Sequence, residues 1–173
     1  FTIFTAKEGL ADNSIRAIHE DDDGTLWFAT TGGLSRYDGK AFTTLTNYGD
    51  IEVTRGFAPK GNHRDVWDVQ RDRSGQLWIA TSAGGFRLEG RAFVHFPMPS
   101  LAAAGAYEFT PAMVYCIYQD KDDALWFGTD GAGVFAYDGS TWRSYTERTN
   151  GLASNRVCAI LQDRRGGFWF GTS

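Results

Sequence analysis

Arg16, Trp67, Tyr115 and Cys158 share one place in the chain: each stands eleven residues before a tryptophan, namely Trp27, Trp78, Trp126 and Trp169. An arginine and a tryptophan are odd choices for a plain core. Aromatic rings with polar tips suit amphipathic ligands such as sugars, although Trp67 and Tyr115 at this place could equally pack between structural units. A second group, Arg55, His63, Arg64 and Asp65, falls in a stretch from Thr46 to Asp65, and Tyr107 and Glu108 fall in another from Pro97 to Ala112. One histidine beside arginines can hold a ligand, serve as a catalytic group or lie in an ordinary solvated loop. No nucleophile is placed to complete a Ser/His/Asp arrangement. The ligand-binding candidates are therefore Arg16, Arg55, His63, Arg64, Trp67, Tyr107 and Tyr115, and no residue is assigned a catalytic role.

Metal and cofactor chemistry find little support. Asp21, Asp22 and Asp23 are followed by Gly24, but the later Glu of a calcium loop is missing, and the run reads as turn chemistry. Cys116 and Cys158 form no Cys-x-x-Cys and join no paired histidines. They lie ten and eleven residues before their tryptophans, so on a strand they point to opposite faces and read as buried free cysteines, with a disulfide or metal pair as the alternative. Asp68 stands where Ala17, Cys116 and Ala159 stand elsewhere, and a buried carboxylate there needs a partner, with Arg64 or Arg71 the nearest choices. The net charge of −4 and pI near 5.3 argue against nucleic acid as a main partner. No apolar run reaches the roughly 18 residues of a membrane span, so direct membrane insertion is not expected. Neither a signal peptide nor a Met opens the chain, which reads as a mature or trimmed segment.

The elements that must position these groups are set by a repeat. Leu26-Trp27-Phe28-Ala29-Thr30 returns at Leu77 to Thr81, Leu125 to Thr129 and Phe168 to Thr172. Its tryptophans are spaced 51, 48 and 43 residues apart. Twelve residues before each tryptophan begins a second apolar stretch, at Ile15, Val66, Val114 and Val157. Between the two lie Asp-rich turns closed by Gly24, Gly75, Asp123 and Gly166, and Asp tolerates positive φ better than most residues. A third strand ends in Tyr37-Asp38-Gly39, Leu88-Glu89-Gly90 or Tyr137-Asp138-Gly139, a strong hairpin signal, and a fourth begins at Phe42, Phe93 and Trp142.

Each unit is thus a four-strand antiparallel meander, a-b-c-d, and the series reads as all-β, built of β-propeller blades, with a solenoid or simple sandwich as the alternative. The single propeller segment divides into a strand d at 1–5, blades at 13–46, 64–97 and 112–146, and strands a and b of a further blade at 155–173. Such a ring is incomplete: either it is part of a larger one, or copies combine to complete it. The variation in period lies in the d–a and b–c connections, which emerge together on one face of a propeller. Insertions confined to one face usually mark its binding face.

The stretch from Asn13 to Thr30, continued by Gly33-Leu34-Ser35-Arg36-Tyr37-Asp38-Gly39, resembles the two-component-regulator propeller repeat. The likeness recurs at Asn155 to Thr172 and more loosely at Arg64 to Thr81 and Met113 to Thr129, with Gly85 and Arg64 departing from the pattern in the second unit. The resemblance implies the extracytoplasmic sensor region of bacterial histidine kinases and hybrid two-component systems. Such sensors are larger, commonly with seven blades per ring, and take oligosaccharides in many gut Bacteroidetes members. A periplasmic or extracellular location follows from the resemblance alone. The repeat motif carries the fold and no ligand residue. The leading expectation is a non-enzymatic sensor module for a small molecule or glycan. The alternatives are a propeller lyase or hydrolase, or a self-assembling piece that pairs with other propeller blades or another copy of the chain.

Overall fold

The computed structural model describes residues 1–45, 64–90, 92–96, 98–99 and 113–173. Three four-stranded antiparallel sheets follow one another. The first holds β1 (Ile15–Glu20), β2 (Leu26–Thr30), β3 (Gly33–Tyr37) and β4 (Phe42–Leu45). The second holds β5 (Val66–Arg71), β6 (Leu77–Thr81), β7 (Gly84–Glu89) and β8 (Ala92–Phe96). The third holds β9 (Val114–Gln119), β10 (Leu125–Thr129), β11 (Val134–Tyr137) and β12 (Trp142–Tyr145). After a one-turn helix, α1 (Glu147–Asn150), a two-stranded sheet joins β13 (Val157–Gln162) to β14 (Phe168–Thr172). The first strands β1, β5, β9 and β13 touch in succession, so the sheets fan out from an inner edge as propeller blades do.

One correction concerns residues 1–5, expected as a strand d. They form no strand. In the blades a strand d pairs with a strand c, and residues 1–5 have no such neighbour among the described residues. Phe4 instead packs its ring against Tyr37 and Phe42, both at 5.2 Å. The helix α1 was not foreseen either. Thr146 caps it by accepting from the Thr149 N–H, and Gly151 ends it in the left-handed conformation.

Each blade is pinned by the first aspartate of its a–b turn. Asp21, Asp72, Asp120 and Asp163 accept the indole N–H of the tryptophan six residues on, at 2.7, 2.8, 2.7 and 3.0 Å. In the last three blades the other carboxylate oxygen accepts two backbone N–H groups of the turn, from Ser74 and Gln76, Asp122 and Ala124, and Arg165 and Gly167. One side chain thus shapes the turn and orients the ring. Asp123 takes positive φ (69°) where the other turns have glycine.

Blades meet through apolar junctions. Trp27, Ala29 and Leu34 pack with Val66, Val69 and Ile79, and Trp78 and Ala80 with Val114, Ile117 and Phe127. Trp126 packs with Val157, Ile160, Phe168 and Phe170. Strands β6 and β10, covered on both sides, are buried at every position, whereas β14 alternates half-buried with exposed positions.

The Asp68 carboxylate also bridges a junction. It accepts from the Val69 N–H (2.9 Å) and, across to the next blade, from the Ile117 N–H (2.9 Å). This corrects the expected ion pair: Arg71 donates to Asp21 instead, at 2.6 Å to each oxygen. Burial pushes Asp68 from its ordinary 3.8 up to about 6, against the pull of the two N–H groups. Because the folded chain holds this proton more tightly than the unfolded chain, stability from this group is full below about pH 4. It declines as pH rises towards 6, a span worth roughly 3 kcal/mol. Asp68→Ala removes that slope. Urea unfolding at a series of pH values should show the difference between the two proteins shifting in the variant's favour between pH 4 and pH 7.

Candidate functional site

In all four blades the inner strand carries a β-bulge at the same place. Ile15 pairs with Thr30 and Ala17 with Ala29, which leaves Arg16 as the extra residue. Trp67 is skipped between Val66 and Asp68, Tyr115 between Val114 and Cys116, and Cys158 between Val157 and Ala159. A bulge re-aims the side chain it inserts, and bulges are over-represented beside binding and active sites. The bulged residues are the set at eleven residues before each tryptophan, so a shared sequence position corresponds to a shared backbone device.

The four converge. Arg16, Trp67, Tyr115 and Cys158, with Ile15, Arg156 and Ser173, line one open concavity of about 550 Å³ at the inner edges of the blades. The Arg16 guanidinium lies 3.6 Å from the centre of the Trp67 ring. Trp67 meets Tyr115 edge to face, with centroids 4.8 Å apart. The Tyr115 hydroxyl accepts from Arg156 Nε (3.1 Å) and a terminal nitrogen (2.6 Å). That bond, together with the charge of Asp130, raises the Arg156 pKa further. Arg16 pairs with Asp65 at 3.3 Å and Arg156 with Asp130 at 3.1 Å. A continuous chain, Asp65–Arg16–Trp67–Tyr115–Arg156–Asp130, thus spans all four blades. The buried Trp67 indole N–H has no hydrogen-bond partner among the described residues.

The two guanidinium groups that line the concavity are each paired with a carboxylate, Asp65 or Asp130, that stands outside the lining. The wall thus presents partly neutralised guanidinium donors and the Tyr115 hydroxyl beside aromatic rings. A hydroxyl both donates and accepts, so polyhydroxylated ligands match it better than a strong anion does.

Sequence reasoning located Arg16, Trp67 and Tyr115, and the structure brings them together. Arg64 is exposed and does not line the concavity. Arg55, His63 and Tyr107 lie outside the described residues. Arg156, Asp65 and Asp130 were missed as members, although Arg156 directly precedes the inner strand as Asp65 does in the second blade. Both cysteines are free; Cys116 is buried as expected, but Cys158 is exposed, which corrects the expectation of two buried cysteines, because the bulge aims Cys158 into the open concavity. Among the described residues no three His, Cys, Asp or Glu side chains group to hold a metal ion, and no helix is long and apolar enough to cross a membrane.

The b–c and d–a connections meet on one face. Gly131 and Gly133 donate from the linker after β10 to the Asn155 carbonyl before β13, at 3.2 and 2.8 Å. The Asp130 linker also donates to the Met113 carbonyl before β9 (3.2 Å). The concavity opens beside this face, since Arg156 and Asp130 belong to these connections. The two long insertions join strands d and a as well, but apart from residues 64–65 and 98–99 they lie outside the described residues.

Comparison with known proteins agrees with this architecture. A family model described as two component regulator propeller matches residues 9–32, 60–83, 108–131 and 151–173. The extracellular domain of the hybrid two-component system BT3049 of B. thetaiotaomicron superposes with a TM-score of 0.72 at 22% identity, over 99% of this chain and 21% of that one. The extracellular domain of BT4673 from the same organism gives 0.73 at 23%, over 96% of this chain and 24% of that one. Virginiamycin B lyase from Staphylococcus aureus gives 0.61 at 16%, over 91% and 48%. At such identities the likeness is one of fold, and the chain spans under a quarter of the length of the two B. thetaiotaomicron domains. Curated protein sequences yield no match. Four matched repeats, each with its own Asp–Trp anchor and together covering more than half the chain, place it in the two-component regulator propeller family.

Proposed function

We propose that this chain is a non-enzymatic, ligand-sensing part of a two-component receptor, working outside the cytoplasm, and that it takes a neutral oligosaccharide or similar polyhydroxylated molecule at the axial concavity. The observation that carries the reading is the convergence of the four bulged residues on one aromatic-walled concavity whose two guanidinium groups are each paired with a carboxylate outside it. The family is one of two-component regulators, and the B. thetaiotaomicron domains of like fold are extracellular. Ring faces offer sugars their C–H faces a platform, and the paired charges offer hydroxyl partners.

The experiment is a titration of the purified chain with pools of neutral and acidic oligosaccharides, read by calorimetry and by thermal shift. Saturable binding to a neutral pool, with the sugar recovered unaltered, is the expected result. Binding confined to acidic pools contradicts the pairing of both guanidinium groups with carboxylates. Cleavage of the sugar contradicts the non-enzymatic reading and turns attention to Arg55, His63, Tyr107 and Glu108.

A further inference from the structure

One backbone bond recurs in all four blades. The first linker residue after strand b donates its N–H to the carbonyl just before strand a: Thr31 to Ser14, Ser82 to Asp65, Asp130 to Met113 and Ser173 to Arg156, at 3.2–3.3 Å. It is a main-chain bond, and it forms with Ser, Thr, Asp, Met and Arg in these places. The blade therefore needs no particular side chain there, and the fold does not demand the acids at Asp65 and Asp130.

Yet each acid stands where it meets a guanidinium. Asp65 accepts from Arg16 Nε at 3.4 Å and from a terminal nitrogen at 3.3 Å. Asp130 lies 3.1 Å from Arg156 Nε. Arg16 and Arg156 are the charged side chains that line the concavity, and each carboxylate reaches its partner from outside the lining. Each guanidinium also has an uncharged support within the lining. The Trp67 ring lies 3.6 Å from Arg16, and the Tyr115 hydroxyl accepts from Arg156 at 2.6 and 3.1 Å.

A free guanidinium grips a carboxylate or sulfate through two parallel bonds, so two of them beside aromatic rings would favour acidic sugars. With the aspartates in place, an incoming anion must displace a carboxylate or sit beside one, and like charges side by side are costly. A neutral hydroxyl meets no such repulsion and can still accept from the remaining N–H groups. We infer that Asp65 and Asp130 are the specificity-determining residues of the axial site: they occupy Arg16 and Arg156, turn away uronate- and sulfate-bearing saccharides, and so reserve the site for neutral ones. The inference rests on the axial concavity being the ligand site. Once the acids are gone, Trp67 and Tyr115 still hold the two arginines in place, and the same wall accepts anions.

The test is a titration with inorganic sulfate at constant ionic strength, read by calorimetry and by the Nε–H resonances of Arg16 and Arg156. Asp65→Ser and Asp130→Ser introduce a residue that Ser14, Ser82 and Ser173 already place at this backbone bond. The double variant should bind sulfate about tenfold or more tightly than the wild type, with both arginine resonances moving and the single variants falling between. Asp122→Asn removes an acid from an exposed turn outside the concavity and should behave as the wild type. Should a serine variant fail to fold, the isosteric Asp65→Asn and Asp130→Asn carry the same test. Equal sulfate affinity in the wild type and the double variant, or the same gain from Asp122→Asn, overturns the inference. The ligand reading fails separately: a wild type that takes no neutral oligosaccharide removes that reading, while the sulfate ratio still decides whether the two acids exclude anions.

Discussion

Asp120→Ala is expected to remove about 3–5 kcal/mol of stability, since one substitution strips partners from three N–H groups in a buried setting, each costing roughly 1–3 kcal/mol when left unpaired. Asp120 is 5% exposed, and its carboxylate holds the Asp122 and Ala124 N–H groups at 2.9 Å and the Trp126 indole at 2.7 Å. Trp126 in turn packs on Tyr145, Phe168 and Phe170, so its ring links the third blade to the fourth. A loss of this size is a large share of the total stability of a typical domain, about 5–15 kcal/mol. Urea unfolding followed by tryptophan fluorescence measures it. Asp163 makes the same set of bonds, but its tryptophan is 64% exposed and water can replace the carboxylate. Asp163→Ala should therefore shift the urea midpoint far less than Asp120→Ala. Equal shifts would show that the aspartates act only as turn formers, without the anchoring of the ring.

The second large effect concerns the axial site. Trp67→Ala should weaken binding of the oligosaccharide identified by titration by about tenfold to a hundredfold, the range typical of an aromatic anchor in a binding surface. The ring is the element on which both Arg16 and Tyr115 rest, so its removal frees the guanidinium and takes away the edge contact at once. Tyr115→Phe keeps the ring and deletes the hydroxyl that Arg156 grips. It should cost less, and mainly through the position of Arg156. Arg64→Ala, outside the concavity, should leave affinity unchanged. Isothermal titration of the four proteins separates these outcomes, and circular dichroism guards against a trivial loss of fold.

The order in which these features could be read from the sequence has a physical basis. The meanders were legible because each depends on local chemistry: alternating apolar residues, an aspartate opening a turn and a glycine or Asp123 closing it. The shared place of Arg16, Trp67 and Tyr115 was legible from spacing alone. The bulge that makes this place special was not, because a bulge is a property of two strands in register, and nothing in Ile15-Arg16-Ala17 differs in kind from a regular strand. Asp68 was expected to find an arginine, and it found two backbone N–H groups, one from the neighbouring blade. That partner depends on how closely β5 and β9 approach, which spacing along the chain does not encode. Arg156 and Asp130 were overlooked for the same reason. Each sits in a connection whose course is set by the linker hydrogen bonds to Asn155. The Asp–Trp anchor, by contrast, was present in the sequence as a constant separation of six residues in all four repeats. It was read only as a turn signal.

The inner-strand bulges aim Arg16, Trp67 and Tyr115 into a single concavity, which is the proposed ligand site. The most direct measurement is a nitrogen–proton correlation spectrum of the indole groups during titration with a binding oligosaccharide. The chain has six tryptophans, and Trp27, Trp78, Trp126 and Trp169 are held by their aspartates while the Trp67 N–H has no partner among the described residues. The predicted result is a saturable shift of the Trp67 resonance, matching the calorimetric affinity, with Trp27 and Trp78 unmoved. Saturable binding that leaves Trp67 in place and moves other indoles instead would contradict it.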